Sequence, residues 1–243
     1  MAAEDEFAKE IAKQLPVKEV YHDGIQPAAK QFGQLAEDLI KALQLALFPV
    51  QLAAGLQDRF RRFVQTSVAR VPIKNQVSPA PQIIGPVLEG VRYEPEGTPI
   101  DKMFSELLST SMDSERLKDA HPSFPQIVKQ ISADEARMLS KISEGFPLDV
   151  IQIFHLTTEG LSRSLIESDQ MTDAGVLNFP HNLGIYREHL DKLALIRWDV
   201  VSPMQPIIEN SRQTGGRNYL RYKLTDFGSS FMRACGGNQN KSE

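Results

Sequence analysis

The sequence predicts a mainly α protein: an N-terminal multi-helix domain over residues 1–130, an α+β winged-helix-like domain over 131–237, and a disordered tail over 238–243. Three observations predict it. Apolar residues recur at three-to-four-residue spacing through most of the first 145 positions, as in helices that bury one stripe. Serine, threonine and proline stand where those helices must start. After residue 145, short β-branched and aromatic runs break the helical period, so strands enter.

Composition bounds the function classes. A chain of 243 residues with 41% hydrophobic content can bury the core of one large domain or two smaller ones, and the change of pattern favours two. The formal net charge of −4 gives no global field towards nucleic acid or an acidic membrane, so any such contact needs a local patch. A single cysteine, Cys235, excludes an internal disulfide framework and a cysteine-rich zinc site, and suits a reducing compartment. The opening "MAAEDEFAKEIAKQLP" is acidic where a signal peptide is basic. The expected location is cytoplasmic, with a peripheral position at the inner face of the membrane as the second option.

The elements follow in order. Phe32, Leu35, Leu39, Leu43 and Leu47 make one apolar helical stripe, while Glu37, Asp38 and Lys41 face elsewhere. "ALQLALFPVQLAAGLQ" carries no charge but is shorter than the roughly 20 apolar residues of a span and holds three glutamines and Pro49. It predicts no transmembrane helix. "DRFRRF" then brackets Phe60 and Phe63 with Arg59, Arg61 and Arg62. An apolar stripe followed by a basic, aromatic-studded turn is one pattern for a lipid surface, though such stripes more often belong to a core helix whose end carries solvated arginines. Leu39, Leu43, Leu47, Arg59, Arg61 and Arg62 are thus the candidate membrane or partner contacts.

"SPAPQIIGPVLEGVRY" reads as a helix entered through prolines, with Gly85 and Pro86 marking a kink or a close helix contact. Thr98 is an N-cap with Pro99 and Asp101 in the first turn. His121 precedes a helix carrying Phe124, Ile127, Val128 and Ile131, where an imidazole can cap without catalysing. In "SADE", Ser132 and Glu135 form a capping box. "PLDVIQIFHL" reads as a short strand with a helix as the alternative, 158–172 is compatible with a helix, and "NLGIYREHLDKLAL" reads as a helix capped by Asn182 with Ile185, Tyr186, Leu190 and Leu193 inward. "LIRWDVV" and "NYLRYKL" are strands, joined by a long loop with Gly215 and Gly216 at its tip. Thr225 caps a last helix ending near Gly236.

This order is that of a winged helix, but a fold does not fix a function. The helix in the recognition position offers Arg187 and Lys192 against Glu188 and Asp191, which cancel. Arg212, Arg217, Arg221 and Lys223 lie without an acid among them and are the candidate nucleic-acid or partner contacts. Residues 146–243 nevertheless hold ten Lys or Arg against eleven Asp or Glu.

"DGIQPAAKQFGQLAEDLIKALQLALFPV", "PAPQIIGPVLEGVRY" and "MFSELLSTSMD", followed by "AHPSFPQIVKQISADEARML", resemble the bacterial Abi-alpha (abortive infection alpha) family. The resemblance covers residues 20–145 and extends more loosely to the C-terminus. It implies defence against bacteriophage, in which an infected cell is shut down or killed before progeny are released. No catalytic residues come with it.

No catalytic, metal-ligating or cofactor-binding set emerges from the residues either. His22, His121, His155, His181 and His189 are scattered, "TGGRN" lacks a P-loop lysine and following helix, and "GLSRSLIES" lacks a nucleophile elbow. The expected function is a non-enzymatic defence protein acting through a protein partner, through self-association, or at a membrane surface. A winged-helix DNA-binding regulator is the alternative.

Overall fold

The structure, a computed structural model, describes residues 54–158, 160–171 and 173–237. Its elements are α1 (Ala54–Ala69), α2 (Pro81–Val91), α3 (Pro99–Ser111), α4 (Phe124–Gln130), α5 (Ala133–Ser143), β1 (Leu148–Thr157), β2 (Gly160–Met171), α6 (Leu183–Lys192), β3 (Ile196–Glu209), β4 (Arg212–Leu224) and α7 (Asp226–Cys235), with short 3-10 turns between them. They form two compact units. Gln130 closes the first, which also takes the chain from Arg233, and Ile131–Met232 is the second. Residues 238–243 lie outside the described residues.

The described part of the first unit is helical, as its apolar spacing predicts. Phe60 and Phe63 of α1, Ile83, Val87 and Leu88 of α2, Phe104, Leu107 and Leu108 of α3, and Phe124 and Val128 of α4 are all buried. Caps set the starts: the Thr98 hydroxyl accepts from Asp101 N–H at 3.1 Å. His121 precedes α4, where its Nδ1 accepts from Ser123 N–H at 3.2 Å, a capping role. In α2 the close contact is at Gly90, where a Cβ would stand 2.3 Å from the Phe104 ring, whereas Gly85 faces open space.

The second unit overturns the expected fold class. The described residues are an α+β mixture of seven α-helices and a four-stranded antiparallel sheet in the order β2-β1-β4-β3, not a mainly α chain with a winged helix. Two local readings fail, each for a backbone reason. Residues 160–171, compatible with a helix by sequence, pair with β1 from Leu148↔Met171 to Thr157↔Gly160. That hairpin satisfies their backbone through the free edge of β1, and such pairing overrides weak local preference. Without that helix the described residues hold no helix-turn-helix at this point. The expected long loop is replaced as well: β3 and β4 continue to the Glu209↔Arg212 pair, closed by Asn210 (φ 50°) and Ser211 (φ 64°). Two consecutive positive φ values are what a tight two-residue hairpin turn requires. Gly215 and Gly216 therefore sit inside β4, and a Cβ at Gly215 would lie 2.2 Å from the Phe154 carbonyl oxygen of β1.

Helix starts in this unit follow their residues. Ser132 Oγ accepts from Glu135 N–H at 3.2 Å while the Glu135 carboxylate accepts from Ser132 N–H at 2.6 Å, a complete capping box. Thr225 Oγ1 accepts from Gly228 N–H at 2.8 Å. At the start of α6, Asn182 holds the N-cap position with no side-chain bond to it.

Gly228 is the tightest backbone approach in the second unit: a Cβ there would stand 1.9 Å from the Leu195 carbonyl oxygen. The Gly228→Ala variant is expected to lose about 2 kcal/mol, because so close an approach to a backbone oxygen puts the overpacking at the upper end of about 1–3 kcal/mol, against a roughly 1 kcal/mol gain in helix propensity. Urea denaturation midpoints check this, and an unchanged or higher midpoint contradicts the packing.

Candidate basic pocket

In the first unit α1 and α3 run close together because small residues line their contact. Ser67 Oγ lies 2.9 Å from Ser105 Oγ, and Ser109 Oγ donates to the Ser67 carbonyl at 2.9 Å, all buried. On the same side of α1, Arg59, Arg62, Thr66 and Arg70 recur at three-to-four-residue spacing. With Asp101, Lys102 and Ser105 of α3, and with Glu96 and Phe63, they line a cavity of about 260 Å³.

The cavity is positively charged on balance. Four lining residues are cationic (Arg59, Arg62, Arg70, Lys102) and two are acidic (Glu96, Asp101). Arg62 bonds Glu96 at 2.7 Å, Arg70 bonds Glu106 at 2.5 Å, and Arg59 reaches Asp101 at 3.5 Å. Arg59 is the most enclosed of these cations, with its side chain 14% exposed, and its Nε is buried with no hydrogen-bond partner among the described residues. A buried donor left unbonded costs about 1–3 kcal/mol, so it favours any acceptor that can reach it.

Arg61, also singled out by the sequence, is not part of the cavity lining and pairs with Asp58 at 3.5 Å. Leu39, Leu43 and Leu47 lie outside the described residues. The second cation group is spread along β4. Arg217, Arg221 and Lys223 alternate onto one face of the sheet, and Arg212 is at the hairpin end. Arg221 is held by Asp149 through two bonds of 2.7 and 2.9 Å, and Lys223 pairs with Asp199. Arg217 is half-buried opposite Ile153 and Gln205.

The family model for abortive infection alpha matches residues 53–235, three quarters of the chain. The chain belongs to the abortive infection alpha family. No curated protein and no solved structure matches it. The match begins just before α1 and ends at Cys235, so the whole second unit and every described helix of the first unit of this abortive infection alpha protein lie within it.

A buried polar network in the second unit goes beyond what the sequence reading singled out. Asp134 accepts from the backbone N–H of Asn178 at 2.9 Å and of Phe179 at 2.8 Å, from Arg137 at 2.6 Å and from Tyr186 OH at 3.2 Å. Burial alone would raise its carboxyl, but those donors outweigh burial and hold it below the ordinary carboxylate value. Glu135 meets His189 Nδ1 at 2.6 Å. Arg187, a surface cation by the sequence reading, is buried and bonds Asp169 at 2.9 Å and Tyr222 OH at 3.2 Å. Burial opposes its charge, yet Tyr222 and Asp169 raise it above the ordinary guanidinium value. The spacing held the signal: Leu183, Tyr186, Arg187 and Leu190 form the buried stripe of α6, and Ile185, expected inward, is 66% exposed.

Cys235 is buried, and that burial pushes its thiol well above the ordinary value, with Glu106 adding and Arg116 opposing. A neutral, enclosed thiol is a packing group. Among the described residues, no helix is long and apolar enough to cross a membrane, and no cluster of three or more His, Cys, Asp or Glu could hold a metal ion.

Two outcomes follow for the family member. A carboxyl depressed in the folded state contributes stability above its unfolded value of about 3.9 that is lost as pH falls through the lower folded value. Asp134→Asn should therefore cost about 2 kcal/mol at neutral pH and flatten the loss of stability in acid, read from denaturation curves across pH. Iodoacetamide should alkylate Cys235 slowly in the native protein and rapidly in urea, followed by intact mass; equal rates would place the thiol at the surface.

Proposed function

We propose that this abortive infection alpha protein is a bacterial anti-phage defence protein that acts by binding, without turnover, and that the basic pocket of the first unit receives an acidic segment of a protein partner. The family membership supplies the defence setting. The observation that carries the binding reading is the combination of a net positive cavity, the exposed ammonium of Lys102 at its rim, and the buried, unbonded Arg59 Nε. A carboxylate suits this site because guanidinium groups form charge-assisted bonds with it, and partial enclosure strengthens them. Arg62 and Arg70 already hold carboxylates of this chain, an instance of the same chemistry. An incoming acid can take Arg59 and Lys102 while those pairs stay formed.

The test is phage challenge of cells expressing the wild type, Arg62→Glu or Lys102→Glu. Both positions are exposed, so the fold should tolerate the reversals, checked by thermal melting of the purified variants. Protection, read as plating efficiency, should fall about tenfold or more, as for loss of an interaction worth about 1.4 kcal/mol. Full protection from both folded variants would discard the pocket as the contact.

A further inference from the structure

We infer that β3 is a self-association edge, and that two copies of this chain pair their β3 strands antiparallel about Trp198. The strand order leaves β3 at one edge of the sheet, and an edge strand presents a row of backbone donors and acceptors to any strand that can approach. Its side chains are unusual for an edge. Trp198 and Val200 stand opposite Tyr222 and Leu220, on the face where Leu148 and Val150 of β1 are also buried. The buried apolar layer crosses the sheet and reaches β3 uncovered, with Trp198 49% and Val200 54% exposed. Val201 is 52% exposed as well. Solitary exposed apolar residues are ordinary, but a contiguous set on an open edge marks a contact.

The chain itself limits where that contact can form. Pro203 and Pro206 interrupt the far half of β3, and irregularities between Val200 and Ser202 and between Ser202 and Gln205 bend it. The stretch Ile196–Val200 remains. Charge then selects the register. A two-fold axis perpendicular to the sheet must pass through a residue if faces are to match across the junction. Centred on Arg197 it sets arginine against arginine, and centred on Asp199 it sets aspartate against aspartate; like charges directly opposite are destabilising. Centred on Trp198 it sets Arg197 of each copy opposite Asp199 of the other, Ile196 opposite Val200, and the two indoles together. Asp199 already pairs with Lys223 in its own sheet, so the arginine of the second copy joins an existing ion pair. This self-complementarity points to a second copy as the occupant. So short a junction predicts a weak, concentration-dependent dimer.

Sedimentation velocity of the full chain over a concentration series tests the inference. The wild type should shift from monomer to dimer as concentration rises. Arg197→Asp alone and Asp199→Arg alone should each remain monomeric, because each sets like charges against like. An equimolar mixture of those two variants should dimerise again. In the mixed pair the two substituted positions face each other as aspartate against arginine, and the native Asp199 of the first variant faces the native Arg197 of the second. Trp198→Lys should abolish dimerisation both in the wild type and in the mixture. A wild type that stays monomeric at every concentration, a dimer indifferent to the single reversals, or two monomeric variants that fail to associate on mixing would each overturn it.

Discussion

The serine seam between α1 and α3 is the constraint on which the first unit depends. Ser67, Ser105 and Ser109 are small enough to let two helices approach, and their hydroxyls bond one another or helix carbonyls, so no donor of the seam is stranded. Larger apolar residues would hold the helices apart. Close approach places the arginines of α1 opposite Asp101 and Glu106 of α3, and Ser105 is itself part of the pocket wall. The same seam thus fixes both the packing of the helices and the spacing of the charges.

In the second unit the organising group is an acid. The first turn of α5 gives Asp134 to the backbone of 178–179 and Glu135 both to its own cap and to His189 of α6. An isolated buried carboxylate would be costly, whereas one with four donors is a fixed point. Arg187 of α6 is held in the same way by Asp169 and Tyr222 of the sheet strands, with a cation–π contact to the Tyr222 ring at 5.5 Å. The helix is thereby fastened along its buried stripe at both carboxylate and guanidinium. That use of α6 leaves Arg187 no role on a nucleic-acid surface.

What was legible in the sequence was local. Thr98, Ser132 and Thr225 cap helices because a hydroxyl at the first turn has one obvious set of donors to satisfy, all within three residues. β4 was legible because its alternating aromatic and basic residues fit a strand, whereas the apolar run of β1 fits a short helix as well as a strand and only the sheet decides between them. Strand β2 was not: its pairing is decided by β1 offering an edge, which no property of residues 160–171 announces. The turn at Asn210–Ser211 was hidden by Gly215 and Gly216, the stronger turn signal, whose actual task is close strand approach. Arg187 looks like a surface cation by its charge, but its place on the Leu183–Leu190 stripe is what buries it.

Charge was the least legible property of the candidate sites, and for one reason. The run from Arg212 to Lys223 contains no acid, yet Arg221 and Lys223 are neutralised by Asp149 of β1 and Asp199 of β3, neighbours only through the sheet. Arg62 and Arg70 likewise meet Glu96 and Glu106, 34 and 36 positions away. A cation count along the chain therefore measures how much charge is available to pairing, and the fold decides how much is left. Across β4 at least two of the four cations are neutralised in this way, while around α1 the balance stays positive because Arg59, Arg62 and Arg70 meet Asp101, Glu96 and Glu106 and Lys102 adds a fourth cation at the rim. An enclosed imbalance of that kind is screened less than an exposed row, which is why the proposed contact for an acidic partner is the pocket and not the strand, although the two carry equal numbers of cations.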